Sequence, residues 1–324
     1  MTKEIVQNST DIVTHNEKLR AFLQASTSEN TRRSYRSAIR QFERWGGMLP
    51  CNASILVQYI VSRSQELSPQ TLSLHLTAIK QWHVYQGIHD PTADPLIRKT
   101  MEGIRRVTGK PQVKAQALRL EHIAQMVACL KRRDESKKQF RDLALILIGY
   151  FGAFRRSELV GISVEDLTFE PEGVLIRLPK SKTDQTGSGI IKAIPYSGKA
   201  ICPVKSLEQW LHCAGISEGS VFCSVNRWDQ IQPRALIPSA VNDLLKSIGR
   251  ECEFDFVPNL SSHSLRRGMS TSAARENISF ELIKKQGGWK NDATVWEYID
   301  EGRQFTDNAS GQLMDVLNEI SVKD

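Results

Sequence analysis

Arg155, Lys182, His263, Arg266, Trp289 and Tyr298 follow one another along this chain, and their side chains are of types that phosphate chemistry uses. Breaking a phosphodiester without a metal requires four things. There must be a nucleophile, cations for the nonbridging oxygens, an acid for the leaving oxygen, and donors that favour the five-coordinate transition state. Arginine suits the second role, because its planar fork binds phosphate oxygens bidentately and stays charged. Each residue also has an ordinary structural reading on its own. Tyr298 can be a half-buried surface tyrosine, Trp289 a core residue and His263 a helix-cap residue. The chemistry is carried by the set and its order.

The flanking residues sharpen this. Gly152-Ala-Phe-Arg155-Arg-Ser-Glu158-Leu159 resembles the first signature of the tyrosine recombinase (phage integrase) family, and His263-Ser-Leu-Arg266 resembles the second. Gly287-Gly-Trp289, with Tyr298 nine residues later, resembles the third. Lys182 falls in the polar turn Pro179-Lys-Ser-Lys182-Thr-Asp184, where the family keeps its catalytic lysine. The resemblance spans residues 16–320 and is nearest to the Cre-like members, because tryptophan replaces the commoner histidine at 289.

The resemblance implies a role for each residue. Tyr298 attacks phosphorus, leaving a 3′-phosphotyrosine and a free 5′-hydroxyl. Arg155 and Arg266 clamp the nonbridging oxygens, and Lys182 protonates the departing 5′ oxygen. His263 accepts or relays the tyrosine proton. Trp289 can donate one indole N–H to a phosphate oxygen but cannot shuttle a proton. Glu158 orients a cation or His263. Arg156 departs from the pattern, since relatives usually carry an apolar residue there. The Arg-x-Ser-Glu-Leu register selects Arg155. Helix neighbours point about 100° apart, so Arg156 is expected on DNA backbone or on a partner acid. A phosphotyrosine conserves the energy of the broken bond, so no ATP, metal or other cofactor is expected. The implied activity is site-specific recombination of double-stranded DNA through a Holliday junction, by a homo-tetramer on two sites. A type IB topoisomerase-like activity and a DNA-binding regulator that has lost catalysis are the rivals. The complete residue set speaks against the second, and a helical first domain with a C-terminal helix favours recombination over the first.

The elements that must position these groups are readable from periodicity. In 28–46, Tyr35, Ala38, Ile39, Phe42 and Trp45 mark one helical face. Asn52 caps a second helix through Ile55, Val57, Tyr59, Ile60 and Val61. Ser68-Pro69 and Asp94-Pro95 are helix-start signals. The helices they open carry Leu72, Leu76, Ile79 and Trp82 or His83, and then Leu96, Met101 and Ile104 up to Arg105-Arg106. Residues 107–117 read as a linker. Beyond it, helices are expected at 120–130, 140–151, 203–213, 238–251, 264–276, 279–286, 291–299 and 308–319. Gly173–Leu178 and Gly189–Pro195 read as strands flanking the lysine turn. The expected fold is mostly α with a small β-sheet, a two-domain clamp. It comprises a flexible N-terminus (1–15), a helical core-binding domain (16–106), the linker, an α+β catalytic domain (118–305) and a C-terminal helical segment (306–324). In the last of these, the apolar face of Leu313, Met314, Val316 and Leu317 is expected to dock on a neighbouring subunit.

Charge agrees with a polyanion partner. The chain carries +7 overall, and residues 1–110 hold 15 Lys/Arg against 9 Asp/Glu, or +6 of it. Arg33, Arg36 and Arg40 share a stripe. With Arg32, Lys80, Arg105, Arg106 and Arg156 they are the candidates for DNA-backbone contact. No apolar run is long enough to span a membrane, and the polar N-terminus is unlike a signal peptide. The six cysteines form no C-x-x-C pair, and the seven histidines form no zinc-type cluster with them. These features point to an intracellular protein, in the cytoplasm or nucleoid of a prokaryote or of its phage or plasmid host.

Overall fold

The computed structural model describes residues 27–111, 113–179, 189–306 and 308–321. The expected N-terminal segment 1–15 and Lys182 lie outside the described residues. The chain divides after Gln112 into two compact units.

The first unit contains four described α-helices: α1 (Glu29–Trp45), α2 (Ala53–Arg63), α3 (Pro69–Tyr85) and α4 (Pro95–Thr108). Each opens on a side-chain cap. Ser28, Asn52, Ser68 and Asp94 accept the backbone N–H of Thr31, Ile55, Thr71 and Leu96. Proline sits in the first turn of α3 and α4, where no donor is missed. Phe42, Leu56, Tyr59, Ile60, Leu72, Ile79, Ile97 and Met101 form the core. Phe42 meets Tyr59 edge-on, with centroids 5.1 Å apart.

Two register details differ from, or refine, the sequence reading. In α4 the inward residue is Ile97, while Leu96 is exposed. Ile97, Met101 and Ile104 follow i, i+4, i+7, which makes a narrower stripe than one starting at 96. In α3 it is His83 that turns inward. Its Nε2 accepts the Cys51 N–H at 3.1 Å, so Nδ1 carries the proton and donates to the Ile79 carbonyl at 2.8 Å.

The second unit is built around α6 (Lys137–Phe151), whose residues Leu143–Tyr150 are all buried. A helix apolar all round must be enclosed. Around it lie α5 (Leu120–Lys131), α7 (Arg156–Val160), α8 (Pro203–Ala214), α9 (Pro238–Glu251), α10 (Ser262–Arg275), α11 (Phe280–Gly287) and α12 (Asp292–Gly302). A last helix, α13 (Ala309–Ser321), follows. An antiparallel sheet runs in the order β1 (Leu167–Glu170), β2 (Gly173–Leu178), β3 (Ile190–Pro195). β2 and β3 pair from Gly173↔Pro195 to Leu178↔Ile190. A second hairpin joins β4 (Cys223–Val225) and β5 (Ile231–Ala235).

Besides the five-residue helix α7, three of these elements were not among those expected from sequence. β1 is four residues long with three exposed, so it shows no alternation. β4 and β5 form a two-stranded sheet with an irregular register at Cys223/Ser224. Such strands are all edge, which is why β5 tolerates Pro233. No described helix is long and apolar enough to cross a membrane.

Candidate active site

The site is assembled where α6 ends. The chain leaves α6 through Gly152, Ala153 and Phe154, with Ala153 in the left-handed region at φ 47°. Arg155 then takes an extended conformation as the N-cap of α7. Glu158, buried one turn on, binds it twice. Its Oε2 accepts the Arg155 backbone N–H at 2.9 Å, and its Oε1 accepts Nη1 at 2.6 Å. Of the two expectations for Glu158, the structure shows the contact with a cation. Arg155 stands outside the helix, so the cap, not a 100° helical step, separates it from Arg156. Arg156 is the first helical residue and is exposed.

α10 brings the second pair. Ser261 caps the helix by accepting the His263 N–H at 3.2 Å. Arg266 follows one turn later and is 2% exposed. Its Nη1 donates to the Ala153 carbonyl. Its Cζ lies 4.1 Å over the Trp289 ring, a cation–π stack. Its Nη2 is buried with no hydrogen-bond partner among the described residues. Burial, with Arg155 adding to it, lowers the Arg266 pKa to about 10, so the guanidinium is still charged at neutral pH.

α11 and α12 bring the third group. Gly287 ends α11 directly beneath the Trp289 ring, and Gly288 turns left-handed at φ +65°. Tyr298 on α12 is 6% exposed, its ring 5.3 Å from that of Trp289. Its hydroxyl lies 3.3 Å from His263 Nε2. Burial raises the Tyr298 phenol above its usual range, against the pull of Arg266 and Arg267. Burial, then Arg266, Arg267 and Arg155, lowers the His263 imidazole. At neutral pH this pairs a protonated phenol with a neutral imidazole, a donor facing an acceptor. Trp289 acts on its neighbours through its ring face, covering both Arg266 and Tyr298.

Arg155, Glu158, His263, Arg266, Trp289 and Tyr298 therefore form one cluster, while Lys182 lies outside the described residues. Lys192 and Gln286, which the sequence reading passed over, sit beneath this cluster. The one sequence signal was Lys192 itself, a lysine at an inward position of the alternating strand β3.

The first unit carries the other candidate surface. Arg33, Arg36 and Arg40 line a groove of about 630 Å³ with Arg44, Trp45 and Arg63. Arg44 and Arg63 were not among the sequence candidates. Arg33, Arg40 and Arg44 make no ion pair with any described residue. Arg32 and Arg36 lean on Glu29 at 2.7 and 3.1 Å. Lys80 pairs with Asp90 at 3.4 Å, and Arg105 reaches Ser73 Oγ at 3.3 Å. Arg106 is exposed.

Comparison with known proteins adds a second line. Residues 116–304 match the model of the phage integrase family. An integrase/recombinase xerD homolog of Selenomonas ruminantium is 35% identical over 305 residues, which is 91% of this chain and 89% of that protein. Tyrosine recombinase XerA of Pyrococcus furiosus is 22% identical over 274 residues, 84% of this chain and 83% of that protein. Among solved structures, XerH site-specific recombinase bound to palindromic difH substrate, in a post-cleavage complex, matches with TM-score 0.63 and 16% identity. That match covers 88% of this chain and 79% of the XerH chain. A lambda integrase dimer bound to a COC′ core site matches with TM-score 0.58 and 14% identity, over 90% and 78% of the two chains. At such identities the structural likeness speaks for the fold.

Proposed function

Because this chain belongs to the phage integrase family and is a tyrosine site-specific recombinase, we propose that it cuts and rejoins double-stranded DNA through a 3′-phosphotyrosine on Tyr298. The observation that carries this reading is Arg266. A guanidinium fixed on one side by a carbonyl and stacked on Trp289 keeps a buried N–H without an acceptor among the described residues. A phosphate oxygen is the natural acceptor, and it would bring phosphorus beside the paired Tyr298 and His263.

In the proposed step the Tyr298 oxygen bonds to phosphorus and its proton passes to His263 Nε2. Arg155 and Arg266 hold the nonbridging oxygens. The 5′ oxygen leaves with a proton from Lys182, and attack by a 5′-hydroxyl reverses the sequence. Neither ATP nor a metal enters this scheme. When the incoming hydroxyl belongs to a second duplex, the product is a Holliday junction. Tryptophan at 289 supports the Cre-like form of the site.

The rest of the assembly follows the same reading. Both units bind one duplex, with the arginine groove of the first on the backbone. A homo-tetramer on two sites carries out the exchange. Supporting this, α13 exposes Leu313, Met314, Val316 and Ile320, each more than half accessible. A neighbouring catalytic unit would cover that face.

The test is adduct formation. The protein is incubated with fragmented DNA, denatured with detergent and assayed for covalently attached DNA, with Tyr298→Phe as control. An adduct that disappears in the variant is expected. DNA binding without any adduct, even on nicked duplexes that trap the intermediate, would favour a binding-only regulator. Relaxed circles without recombinant joints would favour a topoisomerase.

A further inference from the structure

The end of α6 presents three successive carbonyls that lie beyond the helical ladder, at Phe151, Gly152 and Ala153. Each is bound by a side chain from a different element. Gln286 Nε2 of α11 donates to Phe151 O at 2.7 Å. Lys192 Nζ of β3 donates to Gly152 O at 2.6 Å. Arg266 of α10 donates to Ala153 O. Lys192 also donates to the Gln286 carbonyl at 2.6 Å, and the Gln286 amide reaches Ala193 O at 3.4 Å. The ties close into a ring that joins β3, α11 and the end of α6.

We infer that Lys192, backed by Gln286, is a positioning residue for strand cleavage, holding the segments that carry Arg155 and Trp289 in register with Arg266. The inference rests on the phosphotyrosine reading above. Gly152 lies three residues before Arg155, and Gln286 three before Trp289. A tie between their two carbonyls therefore sets the spacing between an arginine clamp and the ring that stacks on the other arginine. Lys192 is 3% exposed, and an apolar side chain would fill an inward strand position at lower desolvation cost. The end of a helix is where a cation is favoured, and charged donors make the strongest carbonyl bonds. The ammonium also lies 5.0 Å from the Phe154 ring centroid. Burial, then Arg266, lowers the Lys192 pKa to about 7, with Glu158 opposing and Arg155 adding. An amine keeps two N–H donors after losing its proton, so both ties survive in either state.

The experiment compares wild type, Lys192→Met and Gln286→Met. Methionine keeps the apolar stem and removes the donors. The probe is a nicked duplex bearing the site that wild-type protein selects from random-sequence duplexes. DNA affinity and the single-turnover rate of adduct formation at saturating DNA are measured separately. We expect unchanged affinity and a rate constant about 100-fold lower for Lys192→Met, the scale of a 1 Å misplacement of reacting groups. Gln286→Met should lose less, in the same direction. A purely structural role would shrink the amplitude of adduct formation and leave its rate constant alone, so a wild-type rate constant in Lys192→Met overturns the inference. Should Lys192→Met show no cooperative melt, Gln286→Met decides by the same criterion. Absence of an adduct from wild type overturns the phosphotyrosine reading and this one with it. A normal wild-type adduct with undiminished variant rates overturns this one alone.

Discussion

The two adjacent glycines before Trp289 should fail in different ways when each is replaced by alanine. A Cβ on Gly287 would lie 1.5 Å from Trp289 Cζ3. Carbon atoms pack at about 3.5 Å, so the indole ring must withdraw by about 2 Å. That ring covers Arg266 and touches Tyr298. Because a 1 Å misplacement costs about 10²-fold, Gly287→Ala should slow adduct formation at least that much. At Gly288 the nearest atom to a new Cβ is Ile190 Cδ1, 3.9 Å away, so there is room. The cost there is conformational, since φ is +65° and a left-handed L-residue costs about 1–2 kcal/mol. Overpacking at Gly287 costs a similar ~1–3 kcal/mol. Either loss lowers the melting temperature by roughly 2–4 °C per kcal/mol in a domain of this size. Both variants should thus melt several degrees early, while only Gly287→Ala loses cleavage rate on saturating nicked DNA. Equal rate constants in the two would show that the Trp289 ring does not need its place.

Four further outcomes follow from the same geometry. Glu158→Gln keeps one acceptor where two donors of Arg155 must be served. It should destabilise by about 1 kcal/mol after allowing for the partial exposure of Arg155, and slow adduct formation about tenfold. As the proposed acceptor of the phenol proton His263 must be neutral, and its pKa is held below the usual 6.5. The second-order rate of adduct formation, which reports the free protein, should therefore fall as pH is lowered, with the midpoint of that acid limb below 6.5. An acid limb centred above 6.5 would contradict the acceptor role. Replacing Arg33 and Arg40 together with alanine should flatten the dependence of log affinity on log salt by roughly 2, the slope of two phosphate contacts. Removing residues 306–324 should leave single-molecule DNA binding intact and abolish cooperativity in a gel-shift titration. Unchanged cooperativity would refute docking of α13 in trans.

Local rules carried much of the fold because the relevant signals are local. Asn52, Ser68 and Asp94 cap their helices as their sequence contexts indicated. Gly173–Leu178 is a strand with the expected bounds. The failures occur where tertiary packing decides. The inward choice of Ile97 over Leu96 depends on which face of α4 meets α2 and α3. The short strands β1, β4 and β5 gain their pairing from partners, not from alternation. The site divides along the same line. The identities of Arg155, His263, Arg266, Trp289 and Tyr298 were legible as motifs. Their supports were less so: that Lys192 and Gln286 bind the carbonyls at the end of α6 depends on contacts between elements far apart in sequence.

These supports bear on how the site works before DNA arrives. Unused, a buried guanidinium N–H such as Arg266 Nη2 costs about 1–3 kcal/mol of desolvation. The fold sustains it because Ala153 O and the Trp289 ring fix the rest of the group. A phosphate that supplies the missing acceptor relieves that cost on binding. The same burial pushes the Tyr298 phenol further above its usual range, so in the proposed reaction the nucleophile is held back in the free protein. In the proposed reaction substrate binding and activation are coupled through a single arginine, since the phosphate that satisfies Arg266 would be the one that Tyr298 attacks. Arg266→Lys keeps a charge but loses the planar fork that can hold Ala153 O and a phosphate oxygen together. It should therefore bind DNA near normally and cut it poorly, by about 10²-fold or more on the scale of a lost transition-state donor. A lysine variant that cleaved at the wild-type rate would mean that charge alone suffices, and that the spare N–H has no part in the reaction.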